Sequence, residues 1–118
     1  MSSARRNADY LGDIGEAMRR IIAYTDGLTY EGFLGDAKTQ DAVIRNLQVL
    51  GEAVKRLSPA TRKAHPSLPW KEMAALRDKL VHDYFGIRYA IIWAVARQEL
   101  PALLPQIEAL LSRPYENG

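Results

Sequence analysis

The residues with the greatest chemical potential in this sequence are an arginine, a histidine and a tyrosine that lie close together. Arg77, His82 and Tyr84 form an R-x4-H-x-Y pattern within residues 77–86. Histidine can accept and release protons near neutral pH, and the planar arginine fork suits phosphate oxygens. Cleavage of RNA needs no protein nucleophile, because the ribose 2′-hydroxyl attacks the adjacent phosphorus. It needs a base, an acid and positive charge, which these residue types can supply.

The spacing of the three residues places them on different sides of a helix. Each residue rotates an α-helix by about 100°, so Arg77 and Tyr84 differ by only about 20° and share a face. His82 lies about 140° from Arg77 on the same wheel. Either the helix unwinds before Gly86 and redirects Tyr84, or two molecules assemble the site. A twofold dimer would place two histidines and two arginines across one cleft.

Each of these residues also has a purely structural interpretation. Arg77 could pair with Asp78 or Asp83, and His82 could be a hydrogen-bonded core histidine. Tyr84 could be a half-buried packing residue. Three further basic residues could extend a surface for RNA or could equally form a solvated face: Lys79, Arg88 and Arg97.

Hydrophobic periodicity predicts that four helices carry the pattern. The predicted helices cover residues 7–24, 39–57, 69–86 and 88–111. Modest connections between them favour an all-α, antiparallel four-helix bundle. The chain is predicted to be one domain over residues 1–118, with a frayed tail at 112–118.

Individual residues predict the ends and contacts of these helices. Thr39 is the expected N-cap of the second helix. Gly51 lies within that helix at a cost of about 1 kcal/mol relative to alanine, which a close approach of another helix would justify. Phe33, in the loop or short turn before it, is expected to enter the core. Pro101 and Pro105 predict a kink or break in the last helix.

Composition excludes several classes of function. The 118 residues carry a net charge of +2 from 16 basic and 14 acidic residues, which does not by itself indicate nucleic-acid binding. The absence of cysteine rules out thiol catalysis, and the presence of only two histidines argues against a transition-metal site. No apolar run approaches the roughly 20 residues of a membrane span. We therefore expect a soluble, cytoplasmic protein without metal or cofactor.

The segment RDKLVHDYFGI at residues 77–87 resembles the signature of the HepT-like ribonuclease toxins of the HEPN superfamily. The similarity extends to further segments in order along the chain: DYLGDI at 9–14, TQDAVIR at 39–45, GEAVK at 51–55, Pro69-Trp70 and Trp93. Two positions depart from the family: Ala75-Leu76 stand where glycine is frequent, and Arg88 stands where an acidic residue often caps the last helix.

The resemblance implies a homodimeric helical bundle with metal-independent endoribonuclease activity. Arg77 and His82 correspond to the catalytic pair, and the adjacent charged residues Asp78, Lys79 and Asp83 are expected to support it. The family further implies a type VII-like toxin–antitoxin system, in which an MNT-type nucleotidyltransferase antitoxin attaches AMP to Tyr84. The added phosphate and bulk would oppose entry of RNA.

A different class of function also fits the sequence. The near-neutral net charge is compatible with a catalytically silent helical module that binds a nucleotidyltransferase or a nucleotide through the same cleft.

Overall fold

The computed structural model describes residues 3–82 and 87–112, and this part of the chain is built from helices. We number the α-helices in chain order: α1 (Ser3–Thr25), α2 (Tyr30–Leu34), α3 (Ala37–Arg56), α4 (Pro59–Ala64), α5 (Trp70–His82), α6 (Tyr89–Ala94) and α7 (Leu100–Leu111). A π-helical turn, Val95–Glu99, joins α6 to α7. The predicted all-α bundle is confirmed, and α2 and α4 are short helices that periodicity did not predict.

The core lies where α1, α3, α5 and the last helical segment meet. Helix α1 contributes Ile14, Met18 and Ile21, spaced by three or four residues and fully buried. Helix α3 contributes a buried apolar stripe to the same core: Val43, Leu47, Leu50 and Val54. Burial of each such side chain stabilises the fold by about 1.5–3 kcal/mol. Helix α3 therefore becomes the central element against which α5 is placed.

The predicted N-cap of α3 was wrong. Asp36 is the N-cap, and Thr39 lies in the first turn. One carboxylate oxygen of Asp36 accepts from the Thr39 N–H at 3.0 Å, and the other accepts from the Thr39 hydroxyl at 2.6 Å. These hydrogen bonds, the hydroxyl contact foremost, lower the pKa of Asp36 below its ordinary value. The carboxylate satisfies a backbone donor that would otherwise be unpaired at the helix start.

The two short helices have different roles, since α2 places a side chain in the core and α4 begins at a polar contact with α1. In α2, which begins after the N-cap Thr29, Phe33 is completely buried as expected. Its ring lies 5.3 Å from that of Trp93, centroid to centroid. Helix α4 begins after Ser58, whose N–H donates to the side chain of Asn7 on α1 at 3.0 Å. This contact connects the start of α1 to the chain that leads into α5.

Proline determines the break in the last helix. Because Pro101 has no N–H, the carbonyl of Arg97 cannot receive the usual helical hydrogen bond from it. The preceding turn is π-helical, and the N–H of Leu100 bonds to the carbonyl of Val95. The predicted interruption is therefore confirmed, although it falls before Pro101 as a wider turn while α7 continues through Pro105.

Arg97, one of the basic residues for which a surface for RNA and a solvated face were both open, anchors the end of α1. Its guanidinium donates to the carbonyl of Ile22 and to the hydroxyl of Thr25, both at 3.1 Å. Thr25 is completely buried. The chain then turns at Gly27, whose φ of 77° is the left-handed conformation that glycine adopts readily. None of the described helices is long and apolar enough to cross a membrane.

Candidate active site

Arg77 lies on the face of α5 that packs against α3. One terminal nitrogen of its guanidinium lies 3.0 Å from a carboxylate oxygen of Glu52, and the other lies 3.0 Å from Asp78. The side chain is 22% exposed. A guanidinium carries five N–H donors, so these two contacts leave donors for a further anion. The two contacts thus fix the orientation of Arg77, while part of its side chain stays accessible to solvent.

Gly51 allows this close packing. A Cβ at residue 51 would overlap the Cβ of Arg77, and it would lie 3.1 Å from the carbonyl oxygen of Met73. The backbones of α3 and α5 therefore come close together at Gly51 and Arg77. The expectation that a close helix contact justifies the mid-helix glycine is confirmed.

The two carboxylates that hold Arg77 are themselves paired with other cations. Lys55 donates to Asp78 at 2.9 Å, and Arg56 donates to Glu52 at 3.2 Å. The hydrogen bond from Lys55, followed by the one from Arg77, lowers the pKa of Asp78 below its ordinary value. Three cations surround two carboxylates in this network, which leaves an excess of positive charge beside Arg77.

His82 lies at the end of the described part of α5, and it is exposed. The helix is continuous from Arg77 to His82, so the predicted angular separation of about 140° applies to them. Arg77 faces α3, whereas His82 faces away from the core. Within the described ranges of the chain, His82 has no hydrogen bond or ion pair. One helix therefore presents the two groups in different directions.

Of the other predicted site residues, some lie in the described part of the chain and some lie outside it. Asp78 contacts Arg77 as a neighbouring carboxylate, in agreement with the structural interpretation of that arginine. Lys79 is exposed on α5. Asp83 and Tyr84 lie outside the described residues, as do Gly86 and residues 113–118. No set of three or more histidine or acidic side chains among the described residues is arranged to hold a metal ion.

Sequence reasoning missed Glu52, the second carboxylate at Arg77. The two residues are separated by 25 positions, and helical periodicity gives no indication of a contact between helices. A weak signal was present, because Glu52 directly follows the glycine that had been expected to mark a close approach.

A groove of about 420 Å³ opens beside Arg77 between α1, α3 and α5. Arg77 and Val81 form one side of it, and Glu52 and Arg56 form another. Val81 is 45% exposed, and it directly precedes His82. Arg77 and the open groove therefore share one face of the molecule, and His82 lies at the end of the same helix but faces another direction.

Comparison with known proteins identifies the family. A family model described as "Ribonuclease HepT-like" matches residues 14–110. The chain is 43% identical over 106 residues to "Probable ribonuclease HepT" of Thermococcus cleftensis, a match that covers 90% of this chain and 96% of that protein. It is 49% identical over 102 residues to a protein of Methanocaldococcus jannaschii named "Putative RNase", covering 86% of this chain and 84% of the relative. No solved structure matches the chain.

The helical bundle, with an arginine and a histidine on one helix, agrees with these matches and defines a ribonuclease-type helical domain. The chain belongs to the HepT-like ribonuclease family. The family expected from the R-x4-H-x-Y segment is confirmed.

Proposed function

We propose that this protein is a metal-independent endoribonuclease whose reacting groups are Arg77 and His82. The observation that carries the proposal is the arrangement of Arg77: Glu52 and Asp78 hold the guanidinium in place, while part of it stays accessible. A preorganised cation of this kind stabilises charge on a phosphorane without reorganising during the reaction. Membership of a ribonuclease family supports RNA as the substrate.

The reaction uses the 2′-hydroxyl of the substrate as its nucleophile. The bond from O2′ to phosphorus forms as the bond from phosphorus to O5′ breaks, which gives a 2′,3′-cyclic phosphate and a 5′-hydroxyl end. A base removes the 2′-hydroxyl proton, and an acid protonates the leaving O5′. Histidine suits both proton transfers, and Arg77 neutralises the oxygens of the phosphorane.

The proposed catalytic unit is a homodimer. One chain carries one exposed histidine in the motif, and it points away from the Arg77 face of the same helix. Two copies related by a twofold axis would supply one histidine as base, the other as acid, and an arginine from each chain. The exposed Val81 beside His82 would lie at such a contact.

The histidine assignment is tested with a matched pair of variants. Replacement of His82 by alanine should lower the rate of RNA cleavage by about 10²–10⁴-fold, the usual contribution of a proton-transfer group. Replacement of His65, the other histidine of the chain, should leave the rate unchanged. Cleavage assayed in EDTA, with gel filtration and circular dichroism on each variant, separates chemistry from assembly and folding. Equal cleavage by wild type and His82→Ala would reject the assignment.

We further propose that the ribonuclease is the toxin of a type VII-like toxin–antitoxin pair, and that a nucleotidyltransferase antitoxin transfers AMP from ATP to the hydroxyl of Tyr84. The tyrosine oxygen would form a bond to the α-phosphorus as pyrophosphate leaves. The added phosphate would compete with RNA for Arg77. Support comes from the position of Tyr84, two residues beyond His82 in the motif.

Co-expression with an MNT-type nucleotidyltransferase tests this proposal. Intact mass of the purified protein should show an increase of whole AMP units, and cleavage of RNA should be lost. Tyr84→Phe should acquire no AMP, whereas Tyr89→Phe should be modified like the wild type. Modification that persists in Tyr84→Phe would exclude this tyrosine as the acceptor. A wild-type protein that binds the nucleotidyltransferase but neither cleaves RNA nor stops growth would favour the silent interaction module.

A further inference from the structure

Lys55 of α3 and Arg77 of α5 share a single oxygen of Asp78. The Lys55 ammonium donates to Asp78 Oδ1 at 2.9 Å, and a terminal nitrogen of Arg77 donates to the same atom at 3.0 Å. Glu52 is arranged differently, because its two oxygens contact separate cations, Arg56 at 3.2 Å and Arg77 at 3.0 Å. Lys55 therefore competes directly with Arg77 for the negative charge of Asp78.

The charges of this network pair off with one cation left over. Arg56 and Glu52 form one neutral pair, and Arg77 and Asp78 form another. Lys55 supplies the remaining positive charge through its contact with Asp78. Without that contact, Arg77 would be the one cation on Asp78 among the residues that the structure describes, and the carboxylate would offset its charge more fully. Arg77 would then attract a phosphate less strongly.

The pKa of Asp78 shows which contact dominates at this carboxylate. The hydrogen bond from Lys55 contributes more than the one from Arg77 to lowering that pKa below its ordinary value. Both side chains of the pair are partly exposed, Lys55 at 41% and Asp78 at 45%. Because solvent screens an ion pair of this kind, we expect it to change rates by a factor of a few rather than by orders of magnitude.

We propose that Lys55 is a positioning residue for RNA cleavage, because it holds the shared oxygen of Asp78 and so keeps the positive charge of Arg77 available to the phosphate. The phosphorane carries more negative charge than the phosphodiester from which it forms. Available charge on Arg77 therefore stabilises the transition state more than the bound substrate. The inference rests on the proposed ribonuclease function for its reaction, whereas the charge of the Arg77 site can be measured without RNA.

Lys55→Met tests this role, since it removes the charge and keeps an unbranched side chain. It should lower kcat about fivefold and change KM by less than about twofold, because the lost charge acts mainly in the transition state. Lys55→Arg, which restores a cation, should recover at least about half of the wild-type kcat. Lys38→Met is the matched control on the same helix, exposed and about 25 Å along the axis from Lys55, and should leave kcat unchanged.

A double-mutant cycle distinguishes action through Asp78 from a direct contact of Lys55 with RNA. Asp78→Asn keeps an oxygen that can accept from Arg77 and removes the negative charge. With Asp78→Asn as the reference, the added Lys55→Met change should alter kcat by less than about twofold, because the carboxylate that Lys55 offsets is gone. A fivefold loss that persists in this background would overturn the proposal, as would equal kcat in wild type and Lys55→Met.

Titration with inorganic sulfate, followed by the NMR signal of the Arg77 Nε–H, measures the charge of the site without RNA. The dissociation constant for sulfate should rise about fivefold in Lys55→Met and by less than about twofold when the same change is made in Asp78→Asn. Equal constants in wild type and Lys55→Met, or a wild-type Arg77 signal that does not respond to sulfate, would overturn the inference.

The two assays together separate this inference from the proposed function. If the wild type cleaves RNA and Lys55→Met changes neither kcat nor the sulfate constant, the role of Lys55 is rejected and the ribonuclease stands. If the wild type cleaves no RNA, the proposed function fails, and the sulfate constants still decide whether Lys55 controls the charge at Arg77.

Discussion

Gly51 of α3 and Arg77 of α5 pack so closely that a methyl group on residue 51 would overlap the Cβ of Arg77. The arginine then extends along α3 to Glu52, the residue next to the glycine, at 3.0 Å. Gly51 thus lets α5 come close to α3, and the neighbouring Glu52 fixes the guanidinium of Arg77. Packing and chemistry are coupled at this point of the fold.

Replacement of Gly51 by alanine should destabilise the protein. The added methyl group meets a Cβ and a backbone oxygen, which cannot rotate away, so α3 and α5 must separate. We expect a loss of about 1–3 kcal/mol in the free energy of unfolding, typical of an overpacked core. Urea denaturation measures it, and cleavage activity should fall with it because Arg77 moves.

Gly12→Ala is the matched control for this change. A Cβ at Gly12, also within a helix, meets nothing within 4 Å. The variant should be more stable than wild type by up to about 1 kcal/mol, since alanine is the better helix former. A Gly51→Ala protein as stable as Gly12→Ala would show that the close contact does not constrain the helices.

Arg97 should contribute to stability through the end of α1. Arg97→Ala leaves the buried Thr25 and the carbonyl of Ile22 without their cationic donor, which should cost about 1–3 kcal/mol in unfolding free energy. Arg88→Ala, at an exposed position before α6, should change it by no more than about 0.5 kcal/mol. Equal unfolding midpoints for the two variants would contradict the role of Arg97.

Acid should weaken the cap of α3 in a predictable direction. The folded pKa of Asp36 lies below the ordinary value of 3.8, so its contribution is complete above that value and is lost as pH falls through the folded pKa. The difference in unfolding free energy between wild type and Asp36→Asn should therefore shrink as the pH is lowered from about 6 to about 2. Thermal unfolding across this range checks it, and a constant difference would exclude the carboxylate as the cause.

Local signals in the sequence predicted the long helices but not their junctions. Apolar spacing defined α1, α3, α5 and the last helix, and Gly51 correctly indicated a close contact. Asp36 and Thr39 are both good caps, and only the structure shows that the aspartate accepts from the threonine. Pro101 indicated an interruption, but not that it would take the form of a π-helical turn before the proline.

The residues of the candidate site could be selected from the sequence, but the contacts that surround them could not. Arg77 and His82 stood out by residue type and spacing, and the helical wheel correctly separated their directions. The ion pair of Arg77 with Glu52 joins two helices, and the sequence signals it only weakly, through the position of Glu52 directly after Gly51. The roles of Asp83 and Tyr84 stay predictions, because both lie outside the described residues.

The central claim is that Arg77 and His82 cleave RNA through its own 2′-hydroxyl, and analysis of the product ends in EDTA tests it most directly. Wild type should convert an all-ribose oligonucleotide into fragments with a 2′,3′-cyclic phosphate and a 5′-hydroxyl. It should leave intact a matched oligonucleotide with one 2′-deoxy sugar at the cleaved position, and Arg77→Ala should leave both intact. Cleavage at the deoxy position, ends with a 3′-hydroxyl and a 5′-phosphate, or full activity of Arg77→Ala would contradict the claim.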